Sequence, residues 1–238
     1  MAQIKTQLQD FNPKVVGSFG SLMDLEITDL ATVRQCCDIA EIRLDILKRD
    51  GGSVHPSQWS HLLDIPLLFT ARRGEEGGVG ELNASERIEL LKIALDDATY
   101  IDIEVASISE MTGLLDILKH RQLPWIASYH DFQKVPETNV LEEAAARAKE
   151  AGAAIFKTAA MLSGPEDLNK LAAFQLGDHG IPVASMGMGP LAPVSRLLCA
   201  QSGSLLNYGF IGKTATAPGQ WDSLFLKQAI SKLVPIKR

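Results

Sequence analysis

Lys157 lies in Ala153-Ala154-Ile155-Phe156-Lys157-Thr158-Ala159-Ala160-Met161, where nearly every neighbour favours burial. An apolar run of this kind, following the helix-like Leu141–Ala151, reads as a strand covered on both faces, as in a parallel sheet wrapped by helices. Burial disfavours the ammonium form, so a lysine there becomes a neutral amine near neutral pH, the form that attacks a ketone to make a Schiff base. An isolated lysine more often runs its stem to solvent or pairs with a carboxylate. This one has company. Glu41-Ile42-Arg43-Leu44-Asp45 alternates with period two, which puts its three charges on one strand face, where they need partners or a ligand. Thr70-Ala71-Arg72-Arg73 runs into Gly74-Glu75-Glu76-Gly77-Gly78, Asp102 and Glu104 share a face, and Ser128-Tyr129-His130-Asp131-Phe132 ends another strand. Singly, these read as an internal ion-pair ladder, a mobile loop and a satisfied histidine.

The elements that would position them repeat. Candidate strands are Val15–Gly20, Ile39–Leu47, Leu67–Arg72, Tyr100–Val105, Trp125–Tyr129, Ala154–Thr158, Val183–Met188 and Leu206–Ile211. Helical stretches intervene at Ala84–Ala98, with Asn83 or Ser85 as cap, Glu110–His120, Leu141–Ala151 and Pro165–Leu176, and Trp221–Leu233 follows the last strand. Alternation of this kind over 238 residues predicts a single (β/α)8 barrel spanning 1–238, with its chemistry at the C-terminal strand ends. Convergence of costly polar groups on those ends favours one shared cavity. His130 and Lys157, one unit apart, are expected on adjacent strands at matching heights.

Past the seventh strand, Ser185-Met186-Gly187-Met188-Gly189-Pro190-Leu191-Ala192-Pro193-Val194-Ser195-Arg196 predicts a helix with Pro193 first and Arg196 in its opening turn, suited to an anion such as a carboxylate. It lacks the GxGxxG spacing of a dinucleotide site. Thr214-Ala215-Thr216-Ala217-Pro218-Gly219-Gln220 has the composition of a loop that closes over a pocket.

Composition narrows the partners. The net charge of −6, without a basic block, argues against nucleic acid or an anionic membrane surface, and no run approaches the ~20 apolar residues of a membrane span. The opening Met1-Ala2-Gln3-Ile4-Lys5-Thr6-Gln7 has no apolar leader segment, so a cytoplasmic protein is expected. Adjacent Cys36 and Cys37 with a distant Cys199 suit reduced structural thiols, and no His/Cys cluster with metal-ligand spacing is evident.

In this order, Glu41-x-Arg43-x-Asp45, Thr70-x-Arg72 with Glu76-Gly77-Gly78, Asp102-x-Glu104, Ser128-x-His130-Asp131-Phe132, Phe156-Lys157, Ser185-Met186-Gly187 with Ser195-Arg196, and Ala217-Pro218-Gly219-Gln220 resemble the type I 3-dehydroquinate dehydratases over nearly the whole chain. The resemblance implies dehydration of 3-dehydroquinate to 3-dehydroshikimate, a step of the shikimate pathway to aromatic amino acids. It implies that Lys157 forms the imine, that His130 is the general acid/base and that Glu76 supports it. Ser18, Glu41, Arg43, Arg72, Phe132, Met186, Arg196, Thr216 and Gln220 become substrate-binding residues, with no metal and no organic cofactor. Thr216 occupies the lid position where bacterial members usually carry serine. A homodimer is an expectation of the resemblance alone. Another lysine-dependent barrel, such as a class I aldolase, and a non-catalytic barrel remain as alternatives.

Overall fold

A computed structural model of the chain describes residues 12–234 and 236. The Met1–Gln7 stretch therefore lies outside the described residues. Eight strands, β1 (Lys14–Phe19), β2 (Ile39–Arg43), β3 (Leu67–Thr70), β4 (Tyr100–Glu104), β5 (Trp125–Asp131), β6 (Ile155–Met161), β7 (Val183–Met188) and β8 (Leu206–Ile211), form one sheet in the order β7-β6-β5-β4-β3-β2-β1-β8. Every paired neighbour is parallel. The remaining seam is bridged where the Leu205 amide donates to the Val183 carbonyl at 3.3 Å, so the sheet nearly closes on itself. The helices are α1 (Leu22–Ile27), α2 (Leu30–Cys36), α3 (Leu44–Gly51), α4 (Ala84–Ala94), α5 (Thr112–Arg121), α6 (Thr138–Glu150), α7 (Pro165–Leu176), α8 (Ala192–Gln201) and α9 (Ser223–Ile230). This is the predicted (β/α)8 barrel.

The main apolar core lies between the strands and the helices, where Trp59 meets Phe69 edge-on with ring centroids 5.0 Å apart. A second, smaller cluster fills the barrel itself and contains Val16, Ile39, Leu68, Tyr100, Ile126 and Ile155. Two residues further along the same strands the inward positions become Ser18, Glu41, Thr70, Asp102, Ser128 and Lys157, all buried. The period-two rule thus turns a change of residue type into an apolar floor with a polar layer above it.

Strand boundaries depart from the sequence reading where periodicity is ambiguous. β2 stops at Arg43, not Leu47, and Leu44 opens α3. The alternation runs on through Ile46, but Leu44 and Leu47 are also three apart and both buried, as a helix requires. Asp45 is therefore a first-turn helix residue rather than a strand residue. β5 and β6 run longer than predicted, to Asp131 and Met161. The cysteines carry free thiols, with Cys37 and Cys199 buried.

Candidate active site

Lys157 is the third residue of β6 and only 4% exposed. Its Nζ donates to Asp102 Oδ2 at 3.0 Å and lies 4.2 Å from the centroid of the Tyr208 ring. Asp102 Oδ1 accepts from Ser128 Oγ at 2.6 Å and meets Arg72 Nη1 at 2.9 Å. Arg72 Nη1 also lies 2.9 Å from Glu104 Oε1 and donates to Ser128 Oγ at 2.6 Å. The chain of charges continues outward, because Arg87 on α4 donates to Glu104 Oε2 at 2.7 Å and to Ser107 Oγ at 3.0 Å. Burial pulls the Lys157 amine below its ordinary value, with Asp102 opposing the shift and Arg72 adding to it. Burial would raise Asp102, but Arg72 and Lys157 beside it outweigh that and hold it well below the usual carboxylate range.

His130 and Lys157 do occupy adjacent strands, but not at one height. The register partner of Lys157 is Ser128, while His130 pairs with Ala159, two residues nearer the mouth. The relative height follows from register, which strand spacing alone does not determine. Glu76 reaches this histidine from a short turn, Gly74–Glu76, so the glycine-rich segment is an ordered support rather than only a loop. Its Oε2 accepts the His130 backbone N–H at 2.9 Å and sits 2.9 Å from Nδ1. Gly77 closes the turn at φ +86°, and a Cβ there would fall 2.5 Å from Phe132 Cζ, so glycine is what lets that ring lie against the turn. Burial pushes the Glu76 carboxyl up to about 7. Burial, with Arg72 and Lys157 adding to it, holds the His130 imidazole well below its usual range. Both shifts favour neutral partners over a carboxylate–imidazolium pair.

Glu41, Arg43, Arg72, Glu76, His130, Phe132, Lys157, Met186, Arg196, Thr216 and Gln220 all line one pocket at the strand C-termini. Ser18 is the predicted site residue that does not; its hydroxyl donates to Glu41, its register partner on β2, while Thr70 Oγ1 donates to the other Glu41 oxygen at 2.8 Å. Arg43 is held by Asp45 through two bonds of 2.9 and 2.6 Å and donates to the Gly77 carbonyl at 3.2 Å. Arg196 is the fifth residue of α8, not in its first turn. It is 1% exposed, and its Nη1 donates to the Tyr208 carbonyl at 2.8 Å. No carboxylate of the described residues pairs with it, and burial lowers it to about 10. A buried guanidinium so placed favours an incoming anion. Over the pocket, Thr216 donates from both N and Oγ1 to Gln220 Oε1, at 2.9 and 3.0 Å. The lid is pinned by the Gly189 amide donating to the Pro218 carbonyl at 3.0 Å.

Tyr208 and Arg87 were not singled out from the sequence. Tyr208 carried a usable signal, being two residues after the inward-facing Leu206 on β8. Arg87 had none, since it reads as a surface residue of an ordinary helix.

Fold and site together define a (β/α)8 barrel with a buried lysine and a histidine–glutamate pair in one pocket at the carboxyl ends of its strands. The chain belongs to the type I 3-dehydroquinase family, whose model matches residues 19–233. It is similar to the 3-dehydroquinate dehydratase of Methanocella arvoryzae, at 32% identity over 211 residues covering 89% of this chain and 92% of the relative. The bifunctional 3-dehydroquinate dehydratase/shikimate dehydrogenase of Arabidopsis thaliana is 32% identical over 186 residues, 77% of this chain and 30% of that protein. Among solved structures, 3-dehydroquinate dehydratase from Geobacillus kaustophilus superposes with a TM-score of 0.80 at 25% identity, covering 92% of this chain and 90% of that one.

Proposed function

We propose that this chain dehydrates 3-dehydroquinate to 3-dehydroshikimate through an imine on Lys157. The neutral Nζ adds to the C3 ketone, and loss of water from the carbinolamine leaves a cationic iminium that acidifies the C2 protons. His130, its Nδ1 occupied by Glu76, removes one of them through the other ring nitrogen and so forms an enamine. The enamine electrons expel the C1 hydroxyl, which leaves as water on taking the proton back from His130, and hydrolysis of the conjugated iminium frees product and lysine. The imine is itself the electron sink, so the reaction uses neither metal nor organic cofactor. Arg196, with Gln220 beside it in the pocket, binds the substrate carboxylate; Glu41, Arg43 and Arg72 surround the ring hydroxyls; Met186 and Phe132 flank the ring.

The observation that carries this reading is the pairing, in one pocket, of a desolvated lysine with a histidine–glutamate pair and a buried guanidinium that meets no carboxylate of the described residues. A sugar-phosphate aldolase would need free amides where α8 begins. Two of those amides are already bonded, Ala192 to the Gly189 carbonyl and Ser195 to the Leu191 carbonyl, each at 3.0 Å. Among the described residues no helix is long and apolar enough to cross a membrane. We further propose that residues 1–238 act as one cytoplasmic catalytic domain and as a homodimer, on a small-molecule substrate rather than nucleic acid. Adding 3-dehydroquinate and following the ultraviolet absorbance of the conjugated enone tests the reading. Growth of that absorbance in chelator-treated enzyme is expected, and its absence with correctly folded protein would refute it.

A further inference from the structure

Tyr208 stands on β8 with its ring face 4.2 Å from Lys157 Nζ and its side chain 4% exposed. It packs with the apolar cluster inside the barrel and lines the pocket above it, so it forms part of the floor on which Lys157 rests. Its hydroxyl is buried without a hydrogen-bond partner among the described residues. A bonded phenol would tie the ring's position to its partner; here the ring is held by packing and its principal polar contact is the one its face makes with the lysine nitrogen.

The other neighbours of that nitrogen are shared. Asp102 also serves Arg72 and Ser128, and the Arg72 guanidinium in the same network repels a charge on Lys157. The balance changes further once the reaction begins. An ammonium has three N–H donors, whereas a protonated imine keeps one, so hydrogen bonding to the nitrogen falls just when it must remain cationic. Attraction to an aromatic face needs no N–H and survives that loss.

We propose that Tyr208 is a further residue of the reaction, its ring face holding the charged Lys157 nitrogen first as ammonium and then as iminium. The proposal rests on Lys157 being the imine-forming residue. Removing the ring destabilises the cation, which lowers the lysine's pKa and moves the onset of its reactivity to lower pH, while less imine accumulates during turnover.

The test uses the whole chain and three changes at one position. Acylation of Lys157 by acetic anhydride, read by mass spectrometry across pH, reports the nitrogen's own titration. Borohydride trapping in the presence of 3-dehydroquinate reports the imine. Tyr208→Leu should shift the titration down by roughly 0.4–1.5 pH units and reduce the trapped fraction, and Tyr208→Phe should restore both towards wild type. Because leucine could perturb the barrel floor, a series of increasingly fluorinated phenylalanines at 208 gives the decisive readout: shape is nearly kept while the ring face loses its negative character, so the titration should fall stepwise with fluorine number. A flat fluorine series overturns the proposal. So does a Tyr208→Phe variant as impaired as Tyr208→Leu, which would make the hydroxyl the operative group. Failure of wild type to trap any adduct would instead refute the imine on Lys157, and is distinguishable because it needs no change at Tyr208.

Discussion

On the side of the pocket built by β3, β4 and β6, buried charges interlock: Arg72 bridges Asp102 and Glu104, Arg87 backs Glu104, and Lys157 completes Asp102. On the side built by β8 and α8, the equally buried Arg196 donates to a backbone carbonyl and meets no carboxylate of the described residues. The first arrangement satisfies itself and keeps the lysine placed without a ligand; the second, on the reading proposed above, is completed by the substrate carboxylate. Similar residue types in one barrel thus differ in whether a counter-charge is built in, and the proposed function assigns chemistry to the first side and recognition to the second.

The largest effects should come from the chemical side. Lys157→Ala is expected to abolish turnover, and His130→Ala to reduce it by ~10²–10⁴, the usual contribution of a positioned acid/base, measured as enone formation. A His130→Ala enzyme near wild-type rate would leave the Glu76–His130 pair a structural feature.

The comparison itself predicts opposite signs for two similar substitutions. Arg72→Met strips a counter-charge from Asp102 and Glu104 and should destabilise the fold by about 3–5 kcal/mol, the cost of breaking a buried pair. Arg196→Met removes a desolvated cation and should leave the ligand-free protein as stable or more so, raising Tm by the roughly 2–4 °C that about 1 kcal/mol represents at this size. It should nevertheless lower kcat/KM roughly 10- to 150-fold through loss of a charge-assisted bond worth about 1.5–3 kcal/mol. Thermal denaturation of both variants without ligand checks the signs, and matching losses of Tm would erase the distinction between the two sides.

How far the comparison could be read without coordinates differs by element. β7 and β8 lie where their residue pattern puts them, each bounded by glycine, proline or serine. β2 was overrun because Leu44, Ile46 and Leu47 suit a continuing strand as well as the first turns of a helix. The site's residue types were readable, since a lysine, a histidine and several carboxylates on inward faces announce themselves. Their heights were not, because register in a tilted barrel depends on how all the strands are staggered. Nor was the asymmetry of charge: Arg87 reaches Glu104 from a helix 17 residues earlier, a contact no local pattern encodes. The lid was legible in composition but not in bonding, for nothing local announces that the Thr216 hydroxyl donates to Gln220 four residues on.

Intermediate in size is the pH response of the histidine–glutamate pair. With Glu76 raised to about 7, kcat/KM should climb as pH rises through that value and the pair loses its proton. Glu76→Gln removes the carboxyl that carries this proton and leaves the limb to His130, which burial holds well below its usual range, so the acid limb should move to lower pH. The linked effect on stability has a definite sign. A carboxyl whose folded pKa is raised stabilises the fold at low pH and loses that contribution as pH rises from 4.5 through about 7, so Glu76→Gln should gain on wild type in Tm above that point. An unchanged acid limb would assign it to another group.

The smallest effect belongs to the lid. Thr216→Val deletes a neutral hydrogen bond to Gln220 while the backbone bond to the same oxygen remains, so kcat/KM should fall only about 2- to 12-fold, the equivalent of about 0.5–1.5 kcal/mol. Thr216→Ser should keep most activity. A hundredfold loss in the valine variant would show that the hydroxyl meets the substrate directly.

The central claim is that Lys157 is the residue that becomes covalently bound. Borohydride added to enzyme and 3-dehydroquinate, followed by peptide mass spectrometry, measures it most directly. The expected result is the mass of the reduced ligand on Lys157, absent from Lys157→Ala. An adduct on another lysine, or undiminished labelling in Lys157→Ala, would contradict it.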